Sequence, residues 1–245
     1  MFNDNSIEER LKKVAPYWRD YTLSIDTMRG SYDIVWDSHI EDLAFYSMFQ
    51  IGLGNNKFSL QNFYETNRQR RQEEWDRNYD LGAYELPENA NVLDIGSGIG
   101  INDLILYNYD KTCKLNMLDR DAGWQNLKGK SPEFLNGYSE EYIFYNSRNI
   151  TSHAISCNGY DPNRFNYMTP EDEWEEYDLI ISNWSWAWHY PLKTYWEKAY
   201  NHLKPGGKLI LDVYRLTDMN FISSKLGPAI VNNDYHGSRC KWIKN

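Results

Sequence analysis

Nine residues constrain the fold of this chain more than any other stretch: Val-Leu-Asp-Ile-Gly-Ser-Gly-Ile-Gly at positions 92–100. The apolar run Val92–Ile95 predicts a short buried strand, and the three glycines then allow a tight turn with little side-chain bulk. Ile101, Leu104 and Ile105 follow at helical spacing and predict a helix directly after the turn. Strand, glycine turn and helix together form the geometry that brings backbone N–H groups close to a nucleotide-like ligand.

The glycine spacing differs from the dinucleotide-binding fingerprint. The third glycine, Gly100, arrives one residue early, and Ile101 stands where that fingerprint has glycine. An acid, Asp94, precedes the first glycine, Gly96, by two residues. Asp-x-Gly-x-Gly-x-Gly after an apolar strand resembles motif I of the class I S-adenosylmethionine-dependent methyltransferases.

Three further features occur in the order and at the spacing of that family. Lys114–Leu118 predict a second strand that ends at Asp119, about 20 residues beyond the glycine turn, where nucleotide-binding βαβ units keep a ribose-binding carboxylate. Tyr177–Ser182 predict a fourth strand, and Leu203–Val213 predict a helix end, a Pro-Gly-Gly turn and a fifth strand. The resemblance therefore extends from Ala90 to Val213.

The resemblance implies an α/β fold, with a Rossmann-like, seven-stranded, mostly parallel sheet that carries helices on both faces. The third strand is weakly patterned, and we place it at Arg164–Met168, after a helix at Tyr145–Asn158. A helix at Leu216–Leu226 and a closing hairpin of Ala229–Tyr235 with Ser238–Ile243 complete the predicted domain.

About 90 residues precede the glycine motif, and they carry helical patterns. Ser6 and Glu9 form a capping-box signal at the start of a first helix. Further helices are predicted at Ser38–Ile51 and from Ser59 to Trp75. We therefore predict two units, a helical cap or substrate lid at residues 1–88 and a cofactor-binding methyltransferase domain at residues 89–245.

Ligands of open α/β sheets lie beyond the carboxyl ends of the strands. The resemblance implies that S-adenosylmethionine binds there as the cofactor. The residues predicted to bind it are Asp94, Gly96, Ser97, Gly98, Asp119, Arg120 and Asn183.

The segment after the fourth strand is the richest in chemistry, and the resemblance implies that it faces the reacting methyl group. His189 is the candidate general base, since an imidazole with a pKa of about 6.5 suits proton abstraction near neutral pH. The alternative is a histidine that orders the loop by hydrogen bonding. Three tryptophans alternate at strand-like spacing and either wall the acceptor pocket or pack the sheet against the cap. The candidate acceptor-binding residues are Trp184, Trp186, Trp188 and Tyr190.

The string Ser-Trp-x-x-His-Tyr-Pro at positions 185–191 resembles a group of bacterial O-methyltransferases associated with sugars and secondary metabolites. Family members that methylate amide or base nitrogens often carry an acid or Asn followed by Pro-Pro and an aromatic residue. Asn183 is present here, but the Pro-Pro pair is not. We therefore predict methyl transfer to a hydroxyl of a small molecule such as a sugar. The alternatives are N-methylation of a protein or nucleic-acid target, and a non-catalytic cofactor-binding module.

Composition narrows the choice of partners. The net charge of −9 argues against a duplex nucleic-acid partner, and the sequence has no run of about 18 apolar residues to span a membrane. The first residues lack the basic and apolar regions of a secretory signal, and the three scattered cysteines suggest a reducing compartment. We therefore predict a cytoplasmic enzyme with a small-molecule acceptor. We assign no metal ligands, although Asp178 and Asp212 offer carboxylates to a divalent ion.

Overall fold

The computed structural model describes residues 21–27, 30–36, 76–98, 100–119, 148–157, 159–188, 191–234 and 237–245. Its strands are β1 (Tyr21–Thr27), β2 (Gly30–Trp36), β3 (Asn91–Ile95), β4 (Lys114–Leu118), β5 (Phe165–Met168), β6 (Tyr177–Ser182), β7 (Leu203–Val213), β8 (Ile230–Asp234) and β9 (Gly237–Ile243). Its helices are α1 (Ile101–Tyr109), α2 (Arg148–Cys157), α3 (Trp196–His202) and α4 (Leu216–Leu226), with short 3-10 turns at Pro162–Arg164 and Leu192–Thr194.

Seven strands form one sheet in the order β5-β4-β3-β6-β7-β9-β8. The five strands from β5 to β7 in that order run parallel, and β9 is antiparallel to both β7 and β8. The predicted Rossmann-like sheet is therefore confirmed, including the third strand, the helix that ends before Gly159 and the closing hairpin. The predicted helix at Leu216–Leu226 is α4.

The central strands are buried on both faces because helices cover each side of the sheet, as parallel strands require. Successive side chains alternate between two cores, with Val92 in one and Leu93 in the other. The first core receives Leu104 of α1 and Ile155 of α2, and the second receives Ile222 of α4. Helices therefore pack against both faces of the sheet.

Strand β7 begins earlier than predicted and contains an irregularity. Leu203 pairs with Tyr177, whereas the next pairing joins Lys208 to Leu179, so the intervening residues bulge out of the β6–β7 ladder. Gly206 occupies the left-handed region with φ of 77° within this bulge. The predicted Pro-Gly-Gly turn is thus a bulge inside the strand, because residues before it already pair with β6.

The described part of the N-terminal region contains an antiparallel hairpin that the helical patterns did not predict. Thr27 lies opposite Gly30, and Tyr21 lies opposite Trp36. Strand β2 runs close to α1 and α2. The predicted helices at 6–14, 38–51 and 59–75 lie outside the described residues, so the helical cap and the domain boundary at residue 88 stay predictions.

Residues immediately before the glycine motif belong to the core of the sheet. Leu81, Ala83 and Tyr84 pack into the same core as Val92. The helical residues 76–80 directly precede them in the chain. Across the described ranges, every helix is too short or too polar to cross a membrane.

Candidate functional site

The glycine turn after β3 depends on backbone conformations that favour glycine. Gly96, Gly98 and Gly100 have φ of 75°, 57° and 80°, all in the left-handed region. A Cβ on Gly96 would lie 2.4 Å from the Cβ of Ser185, so this glycine permits close contact with the loop after β6. Among the residues that the structure describes, a Cβ on Gly98 would meet no atom within 4 Å. The turn therefore leaves open space at its middle glycine, where a ligand can approach the backbone.

The amide groups of this turn donate mainly to the protein itself. Gly96 and Ser97 N–H both donate to the carbonyl of Leu118, at 2.7 and 3.4 Å, and Gly100 N–H donates to Ser97 at 3.0 Å. Gly98 N–H donates to the carboxylate of Asp119 at 2.9 Å. In this structure these amides are therefore hydrogen-bonded within the protein. The arrangement suits a nucleoside cofactor without phosphates, such as S-adenosylmethionine, better than a phosphorylated one.

Asp119 follows β4 directly, and its carboxylate contacts the glycine turn. Its own N–H donates to the carbonyl of Met168 at 3.1 Å, which fixes the backbone beside β5, and its side chain is half-buried. A carboxylate has about four lone-pair sites, so it can accept several hydrogen bonds at once, of which that from Gly98 is one. That capacity, next to the open space at Gly98, fits the predicted contact with a ribose diol.

Asp94 lies at the other side of the turn and is buried. Its carboxylate accepts a hydrogen bond from the amide of Asn102 at 3.0 Å. Asp103, in the first turn of α1, is also fully buried. Burial raises the pKa of Asp103 well above its usual range, and the nearby charge of Asp94 raises it further. Both effects raise the pKa of Asp103 and so favour its protonated form.

Asn183 is the first residue after β6 and contributes an unsatisfied acceptor. Its side-chain oxygen is buried and has no hydrogen-bond partner within the described part of the chain. Leaving such an acceptor unpaired costs about 1–3 kcal/mol, so a ligand that donates a hydrogen bond here would bind favourably. Together with the open space at Gly98, this orphaned oxygen shows that the carboxyl edge fits the implied cofactor.

The loop at residues 183–188 is not the strand that the alternating tryptophans suggested. Trp184 and Ala187 have φ of 55° and 63°, in the left-handed region that non-glycine residues rarely adopt. Hydrogen bonds hold this conformation. Asp212 accepts from Trp184 N–H at 3.0 Å, and Ser182 Oγ accepts from Trp186 N–H at 2.9 Å. Ser182 Oγ also donates to the carbonyl of Ile95 at 2.7 Å, which ties the loop to β3.

The three tryptophans divide into two groups. Trp184 and Trp188 meet edge to face with ring centroids 4.7 Å apart, and Trp188 meets Tyr214 in the same way at 5.3 Å. We call Trp184, Trp188 and Tyr214 the aromatic row. Trp186 is instead fully buried, and its indole N–H donates to the carbonyl of Leu192 at 2.9 Å. We therefore assign Trp186 to the core rather than to the acceptor wall, which corrects the prediction for this residue.

Three of the predicted site residues cannot be placed. Arg120, His189 and Tyr190 lie outside the described residues. The segment between Trp188 and Pro191 connects directly to the aromatic row. His189 therefore follows the row in sequence, and its catalytic role stays a prediction.

A buried ionic cluster lies beneath the loop, and no sequence pattern predicted it. Asp212 accepts two hydrogen bonds from Arg239, at 3.0 and 2.5 Å, and one from Arg77 at 3.4 Å. The side chains of Arg239 and Asp212 are 0% and 1% exposed. The guanidinium of Arg77 also lies 5.9 Å from the ring centroid of Trp184. In the sequence this cluster is indicated only by Asp212, an acidic residue near the end of the otherwise apolar run 209–213.

Both carboxylates considered as metal ligands are bound to cationic side chains. Asp212 lies between two arginines, and Asp178 accepts from Lys204 Nζ and from the N–H of Asn91, each at 2.8 Å. Among the residues that the structure describes, no group of three or more His, Cys, Asp or Glu side chains is placed to hold a metal ion. Burial raises the pKa of Cys113 to about 11 and that of Cys240 to about 12, so neither thiol is a nucleophile at neutral pH.

Comparison with known families identifies the class of protein. The family model of a methyltransferase domain matches residues 67–238, which is more than half of the chain. The chain therefore belongs to this methyltransferase family, and S-adenosylmethionine is its methyl donor. No curated protein matches the chain.

Solved structures of methyltransferases are similar to this one. A methyltransferase from Pyrococcus furiosus is 17% identical, with 69% of this chain and 82% of that chain covered and a TM-score of 0.44. A T. thermophilus 16S rRNA N2 G1207 methyltransferase in complex with AdoMet and guanosine is 13% identical, with coverages of 93% and 51% and a TM-score of 0.50. A precorrin-6y C5,15-methyltransferase from Geobacter metallireducens is 13% identical, with coverages of 69% and 87% and a TM-score of 0.46. At these identities the likeness concerns the fold alone.

Proposed function

We propose that this methyltransferase transfers a methyl group to a hydroxyl of a small acceptor, such as a sugar, held against the aromatic row. The observation that carries the proposal is the position of that row. Trp184 directly precedes Ser185, whose side chain packs against Gly96 of the glycine turn, and Trp188 contacts the ring of Trp184. Aromatic faces pack against the apolar faces of sugar rings and against the faces of flat aromatic rings. An acceptor on the row would therefore lie beside the proposed cofactor site.

The bound cofactor supplies an activated methyl group on a sulfonium, and the protein has to orient the acceptor and take up its proton. In the proposal the aromatic row holds the ring, and the orphaned oxygen of Asn183 accepts a hydrogen bond from a bound ligand. His189 follows Trp188 in sequence and is the proposed general base for the hydroxyl proton. Asp94, Gly96, Ser97, Gly98, Asp119 and Arg120 are proposed to bind the cofactor.

A second candidate acceptor is a nucleobase, because an aromatic row also stacks on bases. The T. thermophilus neighbour is a ribosomal RNA methyltransferase whose structure includes guanosine. The net charge of −9 disfavours a long RNA duplex, whose binding gains affinity from phosphate contacts with Lys and Arg. We therefore rank the small-molecule acceptor first.

The proposed cofactor site is tested by Asp119→Ala. Charge-assisted hydrogen bonds from a ribose diol contribute about 1.5–3 kcal/mol each, so loss of the carboxylate should weaken binding of S-adenosylmethionine and S-adenosylhomocysteine at least tenfold. Isothermal titration with both ligands measures this. Asp161→Ala removes the same charge before β5, at the opposite edge of the sheet, and should bind like wild type. Normal binding by Asp119→Ala would remove this residue from the site.

The acceptor is tested by transfer of a labelled methyl group to sugars, nucleotide sugars and phenols, with total RNA in parallel and fragmentation mass spectrometry to locate the methyl. We expect an O-methylated small molecule. His189→Ala should then lower kcat by about 10²–10⁴ with little change in cofactor affinity, and the wild-type rate should fall at acid pH as the imidazole gains a proton. Labelled RNA with no labelled small molecule would overturn the proposal. Cofactor binding without any transfer would favour the non-catalytic alternative.

A further inference from the structure

A continuous chain of hydrogen bonds crosses the carboxyl edge of the sheet beneath the proposed site. It starts at the acceptor side, where Trp184 N–H donates to Asp212 at 3.0 Å. Asp212 accepts two bonds from Arg239, whose remaining terminal nitrogen donates to the side-chain oxygen of Asn78 at 3.0 Å. Three strands and the segment before the glycine motif are thus joined through buried polar groups.

The second half of the chain leads from Asn78 to the glycine turn. The side-chain amide of Asn78 donates to Asn102 at 3.2 Å, and the amide of Asn102 donates to Asp94 at 3.0 Å. From Arg239 to Asp94 each residue donates a hydrogen bond to the next. The series therefore consists of aligned dipoles, with a guanidinium at one end and a carboxylate at the other. Such aligned bonds polarise and strengthen one another in a buried environment.

Because most of the residues in this series of hydrogen bonds are buried, they depend on one another for hydrogen-bond partners. Four of the five side chains in the series, Asn78, Asp94, Asp212 and Arg239, are each 2% exposed or less, so water cannot replace a partner that moves away from them, and Asn102 is half-buried. Trp184 is held at one end in a left-handed conformation that it would not adopt by itself. A displacement at either end of the chain therefore has to be accommodated at the other end.

We propose that Asn78 and Arg239 are positioning residues that make the geometry of loop 183–188 depend on occupancy of the cofactor site. A ligand that contacts Asp94 fixes its carboxylate, and with it Asn102 and Asn78. The guanidinium of Arg239 is then fixed against Asp212, which holds Trp184 in place for the acceptor. The inference rests on the proposed cofactor contact of Asp94.

Arg77 connects the same series of hydrogen bonds to the loop by a second route. Its guanidinium donates to Asp212 at 3.4 Å and lies 5.9 Å from the ring centroid of Trp184, so the backbone and the ring of that residue are both fixed from the same cluster. Arg77 and Asn78 are neighbours in the helical residues 76–80. The segment that precedes the methyltransferase motif is therefore part of the coupling.

The test is hydrogen exchange of loop 183–188, measured by mass spectrometry with and without S-adenosylhomocysteine in wild type and in Asn78→Ala. This substitution cuts the chain in its middle and leaves the Arg239–Asp212 pair intact. Each variant is saturated according to its own measured Kd. We expect the ligand to slow exchange of the loop at least fivefold in wild type and less than twofold in Asn78→Ala.

Two further variants keep the test decisive. Asn102→Ala cuts the next link at a half-buried position, so it serves if Asn78→Ala does not fold, and it should also lose the ligand-induced protection. Asn166→Ala removes an exposed amide that donates to Asn116 on β4, outside the chain of bonds, and should keep the protection of wild type.

Three outcomes would count against the inference in different ways. Wild-type protection that persists in both Asn78→Ala and Asn102→Ala would overturn the coupling. Ligand binding that leaves exchange of the wild-type loop unchanged would also overturn it. Failure of wild type to bind S-adenosylhomocysteine would instead overturn the cofactor placement on which the inference rests.

Discussion

The glycine turn after β3 and the loop after β6 lie side by side, and each reverses the chain through left-handed backbone conformations. In the turn these positions hold Gly96, Gly98 and Gly100. In the loop they hold Trp184 and Ala187. The turn adopts its shape because of its own residue types, whereas the loop adopts its shape because other parts of the fold hold it there.

The turn and the loop differ in the conformational free energy that their left-handed residues cost. A left-handed conformation costs a non-glycine residue about 1–2 kcal/mol, so the loop needs compensation that the turn does not. Hydrogen bonds from the backbone of Trp184 to Asp212 and of Trp186 to Ser182 supply it. A loop held in this way can respond to changes elsewhere, since its shape depends on distant partners.

The largest effect should come from removing the partner that holds the loop. Asp212→Ala leaves Arg77 and Arg239 buried without their counter-charge, and we expect the free energy of unfolding to fall by about 3–5 kcal/mol. Urea denaturation monitored by circular dichroism measures it. Asp178→Ala removes a half-buried carboxylate bound to Lys204 and should cost about 1 kcal/mol. Equal losses for the two variants would show that the loop does not depend on the buried cluster.

Two glycine substitutions separate conformation from contact within the turn. Gly96→Ala combines a left-handed φ with a 2.4 Å approach to the Cβ of Ser185, and should lower the free energy of unfolding by about 2–4 kcal/mol. Gly98→Ala carries only the conformational cost of about 1–2 kcal/mol, because its Cβ would lie in open space.

The same two substitutions also test where the cofactor binds. A methyl group on Gly98 would occupy space that we assign to the ligand, so Gly98→Ala should weaken S-adenosylhomocysteine binding strongly despite its modest effect on stability. Titration calorimetry and denaturation on the same preparation measure both quantities. If Gly98→Ala binds the ligand normally, the open space at this glycine is not part of the cofactor site.

The smallest effect should come from giving the loop the residue type of the turn. Ala187→Gly relieves a left-handed conformation but loses a buried methyl group and gains backbone entropy in the unfolded state, so we expect a net change below about 0.5 kcal/mol. Ala199→Gly, in the middle of α3 and equally buried, has no conformation to relieve and should cost more than about 1 kcal/mol. Thermal unfolding of both variants compares them, and equal losses would argue that Ala187 is unstrained.

The parts of the molecule that local sequence determines were predicted well. The buried parallel strands are apolar runs, and Gly96, Gly98 and Gly100 each occupy a position that favours glycine. The seven-stranded, mostly parallel sheet followed from the family resemblance. Asp119 directly follows a strand that neighbours β3, and its carboxylate lies beside the glycine turn.

The parts that distant partners determine were missed. Arg77 and Asp212 lie 135 residues apart in sequence, and the charge pattern alone does not pair them. The alternating tryptophans were interpreted as having strand-like spacing, although hydrogen bonds from the N–H groups of Trp184 and Trp186 to Asp212 and Ser182 hold a turn. The β1–β2 hairpin is a different case, because Tyr21, Leu23 and Ile25 alternate with polar residues and this local signal was available.

The position of β9 has a consequence for synthesis of the protein. This strand comes last of the seven in sequence, yet it lies between β7 and β8, which do not pair with each other. As translation adds about 5–20 residues each second, β8 emerges before the strand that joins it to the sheet. Until residues 237–243 leave the ribosome, the edge of β7 stays open and the carboxylate of Asp212 lacks Arg239. A nascent chain halted before that point would therefore expose an unpaired strand edge, and we expect it to need protection by chaperones.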